Sequence, residues 1–211
     1  MTDHLEDYIL SHIDKEPQLL QTMFREANVK LLHPRMLSGH LQGRLLKMFT
    51  QMIRPHHVLE LGTYTGYSAL CIAEGLSNDA LLHTIEVNDE MEDFINKYVS
   101  RSPQRDKIKL YIGDAVDIIP TFEDEMFEMV FIDADKRIYW KYFEMILPKV
   151  APRGFLLVDN TLWDGKVVES VDANDWQTKG ILDFNERIAK DERVTKVILP
   201  LRDGITLIRK N

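Results

Sequence analysis

The chain has 211 residues, 45% of them hydrophobic and 28% charged, with a formal net charge of -8. That length fits one domain with a substantial core, and the composition excludes a collagen-like or disordered chain. The acidic balance weighs against a duplex nucleic-acid binder, and the lone Cys71 excludes an internal disulfide framework or a Cys-rich zinc site.

No apolar stretch reaches the roughly 18 residues needed to span a bilayer, and the opening "MTDHLEDYIL" is too acidic for a signal peptide. A cytoplasmic protein without a membrane partner is expected. Residues 1–54 lack strand signals, and Leu37, Leu41, Leu45, Met48, Phe49 and Met52 recur at helical spacing, which predicts a helical extension covering a sheet, with residues 36–43 as an alternative pocket lining. From residue 57 the pattern changes to short apolar runs alternating with helical segments, the signal for a parallel sheet built from β-α-β units. Strands are expected at 57–62, 81–87, 108–114, 127–133 and 154–160, with helices at Tyr67–Leu76, Glu90–Ser100, Val116–Ile119, Ile138–Leu147 and Asp175–Lys190. The chain ends in two β-rich runs flanking Arg202-Asp203-Gly204, and Asp-Gly between such runs predicts a hairpin whose last strand is antiparallel to its partner. The expected architecture is α/β and Rossmann-like, a seven-stranded, mostly parallel sheet with a C-terminal antiparallel hairpin and helices on both faces. One domain is read over residues 1–211, with the extension at 1–54 and the α/β core at 55–211.

In a doubly wound sheet, ligands bind beyond the carboxyl ends of the strands. The first such end is "ELGTYTGYS", with Glu60, Gly62 and Gly66. Its Gly-x-x-x-Gly spacing lacks the Gly-x-Gly-x-x-Gly pattern that seats a pyrophosphate, so a ligand without one is preferred. Glu86 closes the second strand, 20 residues beyond Gly66, where an acid accepts from the hydroxyls of a ribose. Asp114 follows the third strand, within reach of an adjoining adenine. Together these suggest a nucleoside with an amino-acid tail. S-adenosylmethionine fits, with Glu60 near its ammonium group and Ser68 with helix-end amides near its carboxylate. NAD and a tight turn without a ligand stay open as alternatives.

The fourth and fifth strands end in Asp133 and in Asp159-Asn160, and they are expected to be neighbours. Two carboxylates and an amide oxygen form a hard oxygen site suited to Mg²⁺ or Mn²⁺ and, with more flexibility, Ca²⁺. The plainer readings are that Asp133 or Asp135 caps the next helix, that Asp159-Asn160 forms a turn, and that Lys136 is a solvated charge.

With these residues in hand, the sequence resembles the metal-dependent class I S-adenosylmethionine O-methyltransferases of the catechol and caffeoyl-CoA O-methyltransferase family. The likeness runs from about Arg35 to the end and rests on "ELGTYTGYSAL", "HTIEVN", "FIDADK", "VDNTLWDGKVV" and "LPLRDGITLIRK". "DNTLWDG" and "DADK" look more like the caffeoyl-CoA branch and its bacterial relatives than the animal catechol enzymes. The resemblance implies that Asp133, Asp159 and Asn160 bind the metal and that Lys136 is the catalytic base, with Asp133 beside the transferred methyl group. It also implies cofactor contacts from Glu60, Gly62, Gly66, Ser68, Glu86, Asp114, Ala115 and Asp133. A hydroxylated aromatic small molecule is the implied acceptor, and a homodimer the implied assembly. Some bacterial members look like tRNA 5-hydroxyuridine methyltransferases, so tRNA is the alternative acceptor, with Lys30, Arg35, Arg44, Lys47 and Arg54 as its candidate patch.

Overall fold

The computed structural model describes residues 3–211. Its helices are α1 (Asp3–Ser11), α2 (Gln18–Lys30), α3 (Gly39–Ile53), α4 (Tyr67–Gly75), α5 (Glu92–Val99), α6 (Ala115–Ile118), α7 (Tyr139–Ile146) and α8 (Trp176–Lys190). Its strands are β1 (His57–Leu61), β2 (Leu81–Glu86), β3 (Ile108–Ile112), β4 (Phe127–Ile132), β5 (Val150–Asp159), β6 (Val194–Leu199) and β7 (Ile205–Lys210). They form one seven-stranded sheet in the order β3-β2-β1-β4-β5-β7-β6. The β2–β3, β1–β4 and β4–β5 pairs are parallel, whereas β7 runs antiparallel to both β5 and β6. The Asp-Gly hairpin and the adjacency of the fourth and fifth strands are as the sequence led us to expect.

The residues group into two compact units. One takes the chain up to His56 together with Thr63–Gly113; the other takes His57–Gly62 together with Asp114–Asn211. In the first, α2 is tied to α5 through Glu26, whose carboxylate accepts from Lys30 (2.8 Å), Lys97 (2.5 Å) and the Tyr98 hydroxyl (2.5 Å). Those donors hold the Glu26 carboxyl down to about 2, the bonds from Lys30 and Lys97 contributing most. A lowered carboxyl pKa stabilises the fold fully above its ordinary value of 4.5, and the contribution fades as pH falls towards about 2. Glu26→Gln is therefore expected to destabilise by about 1 kcal/mol near neutral pH, seen as a lower melting temperature, with the gap from the parent narrowing from about pH 5 to about pH 3. An equal gap at both ends of that range would refute the assignment.

The α3 helix buries a side that the apolar spacing does not mark. Its buried side is Gln42, Gly43, Leu46 and Thr50, and of the expected apolar face Met48 is 53% and Met52 70% exposed. The reason is a close helix approach. A Cβ on Gly43 would lie 2.6 Å from the Cys71 Sγ, and one on Gly75 of α4 2.7 Å from the Lys47 carbonyl oxygen, so a larger residue fits at neither position between α3 and α4.

In the second unit, β5 begins four residues earlier than the apolar run suggested, at Val150. Its register against β4 shifts between Phe127 and Met129, which absorbs the Pro152-Arg153-Gly154 segment as a bulge.

Candidate active site

The carboxyl ends of β1, β4 and β5 form the core of the second unit's site. Leu61 pairs with Ile132 and Ile132 with Val158, so the ladder carries Asp133 and Asp159 to matching positions one residue further on. Neighbouring strands lie about 4.8 Å apart, so the two strand ends bring Asp133 and Asp159 to the same edge of the sheet. The Asp133 amide donates to the Leu61 carbonyl at 2.9 Å, which extends the β1–β4 ladder past β4. Gly62 makes that approach feasible. It sits at φ +93°, and a Cβ there would collide with the Asp133 carbonyl oxygen and lie 2.8 Å from its carbonyl carbon.

Lys136 folds back on Asp133, its Nζ donating to Oδ1 at 2.5 Å, with both side chains mostly covered. The reach is set by a short 3-10 turn, Lys136–Ile138, which Asp135 caps by accepting from the Arg137 amide at 3.0 Å. The Arg137 guanidinium also clamps Asp135 and holds its carboxyl below the usual range. Capping, one of the plain readings of the sequence, is thus what Asp135 does. From the other side α8 presses on this turn at Gly180, where a Cβ would lie 2.7 Å from the Arg137 Cα and run into the Lys136 carbonyl oxygen.

Asp159 is 4% exposed, and its Oδ1 accepts from the Asn160 amide at 2.8 Å. Asn160 takes φ +60°, a left-handed conformation that Asn tolerates better than most residues. Its Nδ2 donates to Asp203 at 3.3 Å, which leaves the amide carbonyl oxygen on the opposite edge. Asp203 is a residue the sequence reading used only as a hairpin turn. Its carbonyl also accepts from Leu162 at 2.7 Å and from Trp163 at 3.1 Å, so the β6–β7 turn anchors the loop that carries Asn160. Among the described residues no group of three or more His, Cys, Asp or Glu is placed to hold a metal. The Asp133, Asp159 and Asn160 set differs in kind, because its third member is an amide; all its donors are hard oxygens, and that fits Mg²⁺ or Mn²⁺.

Three other predicted residues belong to this unit. Glu60 is fully buried on β1, opposite Phe131. Asp114 caps α6 by accepting from the Val116 amide at 2.8 Å, and Ala115 is buried as the first residue of that helix.

The first unit holds Gly66, Ser68 and Glu86. Gly66 caps α4 at φ +85°, with its amide donating to Thr63 at 2.8 Å in the turn, and Ser68 is buried in the first turn of the helix. Glu86 ends β2, and each of its oxygens accepts a backbone amide, Oε2 from Tyr64 at 2.6 Å and Oε1 from Asn88 at 2.9 Å. These bonds fix the plane of the carboxylate while leaving each oxygen a second lone pair.

An open parallel sheet closed by an antiparallel hairpin, with acids at successive strand ends, defines a class I methyltransferase fold, and solved structures agree. The chain matches an O-methyltransferase from Bacillus cereus, solved in complex with SAH, at a TM-score of 0.91 and 26% identity over 99% of this chain and 97% of that one. It matches the O-methyltransferase TomG from Streptomyces achromogenes, solved in complex with SAM, at 0.90 and 27%, covering 99% and 96%. Among curated proteins, a caffeoyl-CoA O-methyltransferase of Eucalyptus gunnii is 30% identical over 99% of this chain and 88% of its own length, and caffeoyl-CoA O-methyltransferase 2 of Zea mays 31% over 99% and 83%. Residues 11–211 match the O-methyltransferase family, and the chain belongs to it.

Proposed function

We propose that the protein transfers a methyl group from S-adenosylmethionine to a hydroxyl of a catechol-like small molecule, with a divalent cation held by Asp133, Asp159 and Asn160. The observation that carries this reading is Lys136 closed on Asp133 at 2.5 Å, with Asp133 and Asp159 each directly following the register pair Ile132 and Val158. Its support from outside the chain is the caffeoyl-CoA O-methyltransferase relatives and the SAM- and SAH-bound structures it is similar to.

The cation would supply Lewis-acid polarisation of the acceptor's vicinal oxygens. This chain's residues then do the following. Glu86 and the Gly62–Ser68 turn hold the cofactor, with Asp114 and Ala115 at its adenine and Glu60 at its ammonium group. Asp133 orients Lys136. The Lys136 Nζ, in its unprotonated form, takes the hydroxyl proton as the substrate oxygen forms its bond to the methyl carbon. The carbon–sulfur bond breaks in the same step, and the sulfonium leaves as a neutral thioether. Most of the acceleration comes from holding nucleophile and methyl group in line.

A homodimer goes with this reading, supported by the outward apolar side chains Met48 and Met52 on α3. tRNA as acceptor is less favoured, because Arg44 and Lys47 are both closed on Glu74 (2.8 and 2.6 Å) and Lys30 on Glu26 (2.8 Å), which takes three cations from the candidate patch. The test is to supply S-adenosylmethionine and Mg²⁺ with a catechol, a caffeoyl ester and tRNA containing 5-hydroxyuridine, each with and without a chelator. Turnover of a diphenol that chelation stops is the expected result. Turnover indifferent to chelation refutes the cation, and turnover of the tRNA alone refutes the small-molecule acceptor.

A further inference from the structure

Tyr139 opens α7, three residues after Lys136, and is 1% exposed. Its ring is fixed on two sides. The Phe184 ring of α8 meets it edge-on with centroids 5.9 Å apart, and the Lys136 Nζ lies 5.7 Å from its centroid. Its hydroxyl is buried and makes no hydrogen bond to any described residue. That is unusual, since leaving such a group unsatisfied costs about 1–3 kcal/mol and phenylalanine would fill the same space without the penalty. The charges around it are those of the proposed site. Burial raises the Tyr139 hydroxyl well above its ordinary value, and Asp133 and Asp159 are the next largest causes, ahead of Tyr142 and Asp135. The same Lys136 Nζ that lies 5.7 Å from the ring centroid is 2.5 Å from the Asp133 Oδ1, so the ring packs beside the lysine–carboxylate pair of the proposed site.

We propose that Tyr139 is a positioning residue: its hydroxyl donates to an internal water shared with the carboxylates of Asp133 and Asp159 and fixes their orientation. A buried water takes two to four polar partners, and a donor with two carboxylates meets that requirement. Carboxylates that hold a cation are themselves hydrogen-bonded, and removing such a partner weakens cation affinity about 10- to 100-fold. This consequence rests on the cation site proposed above; the water does not.

Tyr139→Phe keeps the ring packing and deletes only the donor. A high-resolution crystal structure of the cation-free parent is expected to show a water touching the Tyr139 hydroxyl and a carboxylate oxygen of Asp133 or Asp159, absent in the variant. Titration with Mn²⁺ alone, followed by electron paramagnetic resonance, is expected to give a Kd at least about 10-fold weaker in the variant, with S-adenosylmethionine affinity unchanged. A hydroxyl with no water, or a variant that binds Mn²⁺ like its parent, overturns the proposal. Should the parent itself take up no Mn²⁺, the cation site falls, and the proposal is then decided on turnover. A lower kcat at unchanged KM for S-adenosylmethionine in Tyr139→Phe sustains it, and unaltered kinetics end it.

Discussion

Gly62→Ala is expected to lower the melting temperature by about 10 °C and to remove most methyl-transfer activity. The new Cβ would overlap the Asp133 carbonyl oxygen, with the Asp133 carbonyl carbon at 2.8 Å and the Ala134 Cα at 3.4 Å, so everything in its way is backbone. Backbone cannot rotate aside as a side chain can. The Asp133 strand end is tied to Leu61 at 2.9 Å, and relieving the overlap means breaking that bond. Overpacking of this kind costs about 1–3 kcal/mol, and a side chain at φ +93° adds about 1–3 kcal/mol of strain. Against a total stability of about 5–15 kcal/mol the protein still folds, with Asp133 displaced. Calorimetry and a methyl-transfer assay check the two halves separately. A melting temperature within about 2 °C of the parent would show that the contact yields more easily than the geometry implies.

If the proposed cation site holds, Asp159→Ala should reduce turnover by roughly 10²–10³-fold, the equivalent of about 3–4 kcal/mol of transition-state stabilisation. Asp159 is 4% exposed, and alanine keeps the β5 backbone and its pairing with Ile205, so the fold survives the change. The residues assigned to the cofactor are untouched, and calorimetric titration with S-adenosylmethionine should give a Kd within about twofold of the parent. Retained turnover that a chelator still abolishes would mean that the cation is held by other residues.

Much of this arrangement was legible before the fold was known, because strand ends announce themselves. Apolar runs closed by "DADK" and "DN" mark the ends of β4 and β5, and their adjacency follows from parallel β-α-β order. The Asp203-Gly204 hairpin was equally plain. What escaped the sequence depended on close approach between elements. On α3 the apolar periodicity marks a helix, but the side against α4 is chosen by the clearance that Gly43 and Gly75 give, and a count of apolar residues does not contain that. Pro152 and Arg153 lie outside the expected strand, but a register shift lets β5 run through them. Asp203 carried a turn signal that concealed a second task, holding Asn160 and the Leu162 amide. In the sequence Tyr139 is one aromatic residue among several in α7; that its hydroxyl is buried without a hydrogen-bond partner among the described residues is a three-dimensional fact.

The anchoring of α8 has a further consequence. Gly180 locks the helix to the Lys136–Arg137 turn, and Asn185 donates to the Thr161 carbonyl at 2.8 Å, while the hairpin turn grips Leu162 and Trp163. The stretch between Asp164 and Asp175 is thus an insert fastened at both margins to parts that do not depend on its content. Its length and side chains can be exchanged, by selection or in the laboratory, without moving the Lys136–Arg137 turn, which is held from the α8 side.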